Sequence, residues 1–456
     1  MMRIARLIRK VVICSFAAVV VAAVIAAPGR AADGAIRHAG AVKSLHLNDA
    51  VDLALRNNIL IRTAHERVSE ADGVRLQSVA DLLPHLSAAA YQQRVWHENP
   101  AAMGFSGLGI IGPFNNFDAR LFLTQKLFDI SAFARGRAGS VGSEIARLEE
   151  GFARQKVVLA ATIAYLEALR SFNGLCASNA DQALAERLLL KALHQHEAGV
   201  ATGVDVARAR TRAAEERLRA AQARFFYRQA RLELARVTGL SFGAPIRLAD
   251  RLALSAETIP GTGEALSSAM AQRLEMQLSR KRVLFEKYRT DEAGMKRLPS
   301  VEIAADYGWN GTGIDQRNPE TGQGIIRASM PLFEGGMITG AARAAASRRR
   351  QAELALGDIA RQVDEDVRLA LCRIRTGTER VLAAEEVVRL AQRELEMASD
   401  RFAAGIGDNI EVLTAQTAFA NAADARIAAL AEYQGASANL YAAMGEIEEF
   451  RLASRR

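Results

Sequence analysis

The sequence predicts a mainly α-helical chain of two tandem repeats that also contributes a small β-sheet. First, proline, which breaks helix interiors, is absent from residues 114–244 and 332–456. Second, the chain is rich in Ala, Leu and Arg and only 6% aromatic, a composition that favours helices. Third, each half follows one order of elements: a helix, two strands, a long helix, a turn and a second long helix.

The repeat is visible as matched residues at a constant spacing. Residues 199–206 (GVATGVDV) align with residues 405–412 (GIGDNIEV). The same spacing holds for Ala209/Ala415, Tyr227/Tyr433, Leu234/Leu440 and Gly239/Gly445. Earlier in each half, at a slightly larger spacing, the matched pairs are Ala50/Ala265, Leu83/Leu298 and Pro84/Pro299. We therefore expect a first repeat at 32–244, a linker at 245–262, a second repeat at 263–445 and a short C-terminal tail at 446–456.

Residues 1–31 have the pattern of a secretory signal peptide. A basic stretch at 3–10 precedes an uncharged apolar run at 11–27, and Gly29 and Ala31 offer small residues for cleavage near Ala31. A membrane anchor is the alternative, although about 17 apolar residues is the short limit for a span. Without the five basic residues of this segment, the formal charge falls from +8 to +3. The remaining charges form no concentrated basic face, so nucleic-acid binding is not expected.

Long helices dominate each half. The first helix is expected to begin with Asn48 or Asp49 as its N-cap, and its apolar face comprises Ala50, Leu53, Ala54 and Ile61. Periodicity then predicts a helix over 133–197, about 100 Å long, and a partner over 204–237, about 50 Å long. Gly199 and Gly203 mark the turn between them. Helices of this length pack as coiled coils.

Four strands are predicted, at about 86–97, 117–128, 300–310 and 324–333. The third is the clearest, because apolar and polar residues alternate from Ser300 to Asn310 and the apolar face ends in Tyr307 and Trp309. This pattern is typical of a strand with a lipid face and a wet face, with aromatic residues at the membrane interface. A half-buried soluble hairpin would give the same alternation. Single-chain membrane barrels start at about eight strands, and an open sheet edge in lipid is prohibitive. A membrane location therefore requires several chains to share one β-barrel.

At this point the chain resembles the TolC family of bacterial outer-membrane efflux proteins over nearly all of its mature length. Residues 47–58 (LNDAVDLALRNN) resemble the family's opening helix, and residues 330–336 (MPLFEGG) resemble its strand-to-helix junction, with 126–129 (KLFD) as the first-half copy. The resemblance implies a homotrimer whose β-barrel lies in the outer membrane of a Gram-negative-type bacterium and continues into a periplasmic α-helical tunnel. It further implies a periplasmic adaptor protein and an inner-membrane pump as partners.

The implied function is a passive export conduit of a tripartite efflux or type I secretion system. The resemblance places the gate of the channel at the tips, which are the turns that join the two long helices of each repeat. The gate candidates are therefore Asp205, Asp408, Glu411 and Thr414. The adaptor-docking tip would include Gly199, Val200, Gly405 and Ile406. An alternative interpretation of Asp205 and Glu411 is that acids near a helix N-terminus only stabilise the helix dipole. Gly407 stands where a tip arginine can stand in the family, so an arginine–aspartate lock is not carried over.

An enzyme is not expected, since the sequence has no phosphate-binding loop, GxSxG elbow or HExxH motif, and no cofactor is implied. No Cys/His spacing indicates a metal site, and Cys176 and Cys372 are expected to stay unpaired. The main rival function is an exported periplasmic coiled-coil structural or adhesion protein. Such a protein would use the same signal peptide and helices but has no need of two duplicated hairpins with apolar faces.

Overall fold

The computed structural model describes residues 43–96, 112–199, 201–255, 259–314, 316–404, 406 and 409–452. The proposed signal peptide therefore lies outside the described residues. The helices are α1 Leu47–Asn57, α2 Ile59–Ala80, α3 Ile130–Glu197, α4 Gly203–Thr238, α5 Thr262–Gln272, α6 Leu274–Met295, α7 Met337–Ala403 and α8 Asn409–Met444. The strands are β1 Lys43–Leu45, β2 His85–Val95, β3 Phe114–Phe128, β4 Ile246–Leu248, β5 Ser300–Gly311 and β6 Glu320–Ser329.

Two helices, α3 with 68 residues and α7 with 67, form the long axis of the fold. At 1.5 Å per residue each is about 100 Å long. Helix α3 packs along α2, α4, α6 and α8, and α7 packs along α6 and α8. Helix α3 begins three residues earlier than predicted because Asp129 caps it: the carboxylate accepts a hydrogen bond from the Ala132 amide at 3.1 Å.

The first helix differs from the prediction at both ends. It begins at Leu47, with His46 at the N-cap, and Asp49 accepts a hydrogen bond from the His46 amide at 3.2 Å. It ends at Asn57, because Asn58 has an extended backbone and its side chain caps α2 by accepting from the Leu60 amide at 2.9 Å. One predicted helix is therefore two. The second repeat has the same break at Arg273, between α5 and α6.

A four-stranded antiparallel sheet has the order β2-β3-β5-β6. The two hairpins of the chain thus meet along the β3–β5 seam. Three strands lie close to their predicted positions, but the strand expected at 324–333 runs from Glu320 to Ser329. It ends before Pro331, whose nitrogen cannot donate a ladder hydrogen bond.

A parallel pair of three-residue strands, β1 and β4, was not predicted. Strand β4 lies in the segment that was expected to be a linker, and it brings Leu248 into the main core beside Leu45. This core joins α1, α3, α4 and the C-terminal end of α8. A second core joins α5, α6, α7 and α8, and the half-buried Leu252 and Tyr441 pack against both cores.

Matched residues of the two halves have matched surroundings. Ala50 and Ala265 are fully buried, as are Ala54 and Ala269. Gly239 and Gly445 follow α4 and α8 with φ of +71° and +87°, a conformation that favours glycine. A side chain at Gly239 would meet Asn57, and one at Gly445 would meet the break at Arg273.

Candidate functional site

The two faces of the four-stranded sheet differ in chemistry. One face carries a polar network around Arg120, whose guanidinium contacts Asp118 at 2.9 Å and Asp306 at 2.6 Å. Asn310 adds a hydrogen bond to Asp118 at 3.0 Å. These groups lie on neighbouring strands, since Asp118 is opposite Asn310 in the β3–β5 register. The network connects the hairpins of the two repeats, and it places Asp306 on the polar face, as the strand pattern predicted.

The opposite face is apolar and exposed. In the sheet register Leu121 is opposite Tyr307, Ala119 is opposite Trp309, and Ile303 is opposite Ile326. Tyr307 and Trp309 form an edge-to-face aromatic pair. Exposed apolar side chains on a strand face need an apolar environment. Because no side chain of the described residues covers Ile326, which is 71% exposed, this face suits contact with lipid.

Both edges of the sheet are open within the described part of the chain, since β2 and β6 each pair on one side only. Unpaired edges are templates for pairing with another chain. No helix among the described residues is long and apolar enough to cross a membrane.

The tip of the first repeat is the turn between α3 and α4. Gly199 adopts a φ of +75° there, and Val200 lies outside the described residues. Asp205 forms a capping box with Thr202: its carboxylate accepts from the Thr202 amide at 2.9 Å and from the Thr202 hydroxyl at 2.6 Å. The hydroxyl bond is the largest influence that lowers the pKa of Asp205. Arg208 lies 3.9 Å away. Asp205 is therefore ionised and held in place by its own helix start.

The tip of the second repeat is organised differently. Glu411 is half exposed and forms an ion pair with Arg401, at 3.6 Å, across the turn between α7 and α8. Thr414 is exposed one turn further along, and Ile406 is 77% exposed. Gly405 and Asp408 lie outside the described residues. Arg401 was not predicted as a tip residue, because it stands ten positions before Glu411 in sequence and belongs to no motif.

The two tips are neighbours in the structure. Leu188 of α3 packs against a small core of Ala398, Val412 and Ala415 near the second tip. Lys191 lies over the ring of Phe402, with its ammonium 5.0 Å from the ring centre, a cation–π contact. The structure thus brings both tip segments to one end of the helical part.

Cys176 and Cys372 are unpaired, as predicted, and both are exposed. Among the described residues, no group of three or more His, Cys, Asp or Glu side chains is arranged to hold a metal ion.

Comparisons with known proteins agree with this architecture. The sequence model of the outer membrane efflux protein family matches residues 265–446. The chain is similar to the alkaline protease secretion protein AprF of Pseudomonas aeruginosa, with 25% identity over 89% of this chain and 85% of the relative. It is also similar to the proteases secretion protein PrtF of Dickeya chrysanthemi, with 23% identity over 84% of each chain.

Among solved structures, the outer membrane channel CmeC of Campylobacter jejuni superposes with a TM-score of 0.80 at 19% identity, covering 88% of this chain and 86% of that one. This likeness concerns the fold. Residues 265–446 therefore match the outer membrane efflux protein family, and the chain as a whole has the fold of the TolC-like outer-membrane channels.

Proposed function

We propose that the chain is one subunit of a homotrimeric outer-membrane channel, a passive conduit from the periplasm to the exterior that catalyses no reaction. The observation that carries this proposal is the four-stranded sheet with one apolar face, one polar face and two open edges. In lipid every backbone polar group must be paired, so these edges must be closed by sheets of other copies. Helices of about 100 Å continue from the sheet into the periplasm and suit the wall of a tunnel.

The open edges also support a stoichiometry of three. One chain supplies four strands, and membrane barrels with an open lumen need clearly more than the eight strands of the smallest ones. Two copies would give only that minimum, in which side chains fill the interior. Three copies give a wider barrel, and the polar Arg120 network of each copy would then line its lumen.

The system in which the channel works is proposed to be type I protein secretion. Two sequence relatives that span most of this chain are named for protease secretion. Drug or metal efflux is the second candidate, favoured by the family that matches residues 265–446. In either system the channel would engage a periplasmic adaptor protein and an inner-membrane pump.

The tips are proposed as the gate and the docking site. In a trimer, Asp205 and Glu411 would bring six carboxylates to one end of the tunnel, and Asp408 and Thr414 are the further gate candidates. The exposed Ile406, together with Gly199, Val200 and Gly405, would offer a docking surface to the adaptor. The small side chains and the apolar isoleucine suit close contact with a partner helix.

The mass of the complex tests the architecture. We expect the protein to require detergent for extraction and to have the mass of three mature chains by native mass spectrometry in mild detergent. A monomer or a tetramer would contradict the shared barrel. Recovery of the protein in the soluble periplasmic fraction without detergent would instead support the coiled-coil structural or adhesion protein.

A further inference from the structure

The helical part and the sheet of one chain end in the same order. Toward the tips, helix α3 packs against α4 and α8, and α8 packs against α7, so the helices form a row in the order α4-α3-α8-α7. Helix α4 of the first repeat thus lies at one end of the row, and α7 of the second repeat lies at the other. The sheet likewise has β2 of the first repeat and β6 of the second at its edges. A second copy of the chain can therefore extend both parts head to tail.

Helix α4 carries a stripe of exposed apolar side chains opposite its buried side. Four of the five large apolar residues that are exposed on this helix are separated by multiples of seven residues, and they form the α4 stripe: Val204, Leu218, Phe225 and Leu232. Leu218 lies two residues from the buried Glu216 and from the buried Ala220, which is roughly 160° around the helix from each. An apolar repeat of seven residues is the pattern of a coiled-coil contact, so this face suits a partner helix.

Helix α7 carries a second stripe with the same repeat. Leu369, Leu390 and Met397 are large, apolar and exposed, and they are separated by multiples of seven residues. The two positions between them in this repeat, Thr376 and Ala383, are also exposed. These five residues form the α7 stripe. Each end of the helical row thus has an exposed face that is suited to another helix.

The two stripes match in level and in side-chain size. Counted at 1.5 Å per residue, Leu218 lies about 22 Å from the tip end of α4, and Leu390 lies about 20 Å from the tip end of α7. Phe225 and Ala383 lie about 33 Å and 30 Å from the same ends. Each pair therefore agrees within one helical turn. The largest side chain of the α4 stripe falls beside the smallest of the α7 stripe, which allows the interlocking of side chains between paired helices.

The charges of the two helices are complementary. Helix α4 has nine arginines against four carboxylates, whereas residues 376–403 of α7 have six carboxylates against four arginines. Arg228, one turn after Phe225, and Glu379, one turn before Ala383, are both exposed. They lie about 38 Å and 36 Å from the tip ends of their helices. Opposite charges at one level favour this pairing of the helices and fix its register.

We propose that the α4 stripe of one chain packs against the α7 stripe of the next copy as an antiparallel coiled coil. The partner is a second copy of this chain, because the open edges of the sheet require a copy on the same two sides. Three such contacts would close the wall of the helical tunnel, with Phe225 beside Ala383 and Arg228 beside Glu379. This inference rests on the proposed trimeric channel and identifies the helical surfaces that join its subunits.

Disulfide cross-linking of the full-length protein in mild detergent tests the contact. Cys176 and Cys372, which are exposed, are first replaced by serine. Two cysteine pairs are then introduced separately: Leu218→Cys with Leu390→Cys, and Phe225→Cys with Ala383→Cys. On oxidation we expect a covalent trimer on a denaturing gel without reductant. The control pair is Arg217→Cys with Leu390→Cys, because Arg217 contacts Glu186 of its own chain at 3.0 Å. This control should remain monomeric on the gel.

Native mass spectrometry of the same samples separates the two proposals. A trimer whose stripe pairs both fail to cross-link, or cross-link no more than the control pair, would overturn the helix contact and leave the channel proposal standing. A protein that is not a trimer would contradict the proposed function and this inference together.

A pair of leucine substitutions gives a second test without cysteines. In the single chain Leu218 is 61% exposed and Leu190 is 57% exposed, but Leu190 lies on α3, between α4 and α8 in the helical row. Only Leu218 would become buried in the proposed contact. We therefore expect Leu218→Ala to lower the temperature at which the trimer dissociates and Leu190→Ala to leave it unchanged. Equal effects of the two variants would overturn the contact.

Discussion

At the scale of single residues, the carboxylate of Asp250 connects three separate parts of the chain. One oxygen contacts His46 Nδ1 at 2.7 Å, and the other accepts from the Leu47 amide at 2.7 Å and lies 2.8 Å from the hydroxyl of the buried Tyr165. This hydroxyl also lies 2.9 Å from the carbonyl oxygen of Leu45. The contacts fasten β1, the start of α1 and the segment after β4 to the middle of α3.

The His46–Asp250 pair makes this junction pH-dependent. The hydrogen bond to Asp250, and then its negative charge, raise the pKa of His46. The stabilisation by protonated His46 is therefore complete below its ordinary pKa of 6.5 and is lost as the pH rises through the raised value. Because His46 is more than half exposed, we expect His46→Ala to lower the thermal unfolding midpoint by roughly 1–3 °C at pH 6, and by clearly less at pH 9.

His194→Ala is the control for this prediction, since His194 is exposed near the end of α3 and far along the helix from Asp250. This variant should lower the midpoint little at either pH. An equal loss of stability at pH 6 and pH 9 in His46→Ala would show that the imidazole contributes by packing and not by its charge.

At the scale of elements, strand β6 offers a direct comparison of the two faces of the sheet. Ile325 and Ile326 are neighbours in sequence, so their side chains lie on opposite faces. Ile325 is opposite Ala304, on the face of the Arg120 network, and Ile326 is opposite Ile303, on the apolar face. The pair differs only in the environment that the assembled barrel would provide.

We expect Ile326→Lys to impair assembly far more than Ile325→Lys. A lysine on the lipid face of a membrane barrel costs about 2–4 kcal/mol at mid-depth, whereas a lysine on the lumen face stays in water. The measurement is the yield of trimer extracted from the outer membrane and its resistance to thermal dissociation. Equal yields for the two variants would contradict the assignment of the faces.

At the scale of the whole molecule, the two tips lie at one end of the helical part but are stabilised differently. The carboxylate of Asp205 bonds to its own helix start, whereas Glu411 forms an ion pair with Arg401 across its turn. Both acids lie near the surface of the tip. In the proposed trimer, six such charges around one axis would attract cations.

Neutralising both acids tests the gate proposal. We expect the double variant Asp205→Asn and Glu411→Gln to assemble normally, because both amides can still accept a hydrogen bond, and to lower the cation-over-anion permeability ratio by roughly twofold or more. Single-channel recording under a salt gradient measures this ratio. Asp306→Asn should change the ratio less, since Asp306 lies in the sheet, away from the tips, and is paired with Arg120. If Asp306→Asn changed the ratio more than the double variant, the gate proposal would be wrong, and the tip acids would only stabilise the starts of their helices.

Local sequence patterns predicted some features of the candidate site, whereas the contacts between separate segments could not be predicted from them. The capping position of Asp205 was predictable, because Thr202 precedes it by three residues and the capping box is a local motif. The Arg401–Glu411 pair and the contact between Lys191 and Phe402 depend on how separate segments pack, and nothing in the sequence near these residues indicates them.

The sequence by itself determined the helices, the turns, the repeat and the two faces of the strands. These features depend on periodicity, on proline and glycine positions and on caps, which act within a few residues. Only the tertiary structure decided that the first helix is broken at Asn58, since the side chain of this residue also donates to the carbonyl of Val237. It likewise decided that β4 pairs with β1 across about 200 residues and that Arg120 of the first repeat pairs with Asp306 of the second. Such contacts form only when segments that are distant in sequence pack together, so no local pattern of residues predicts them.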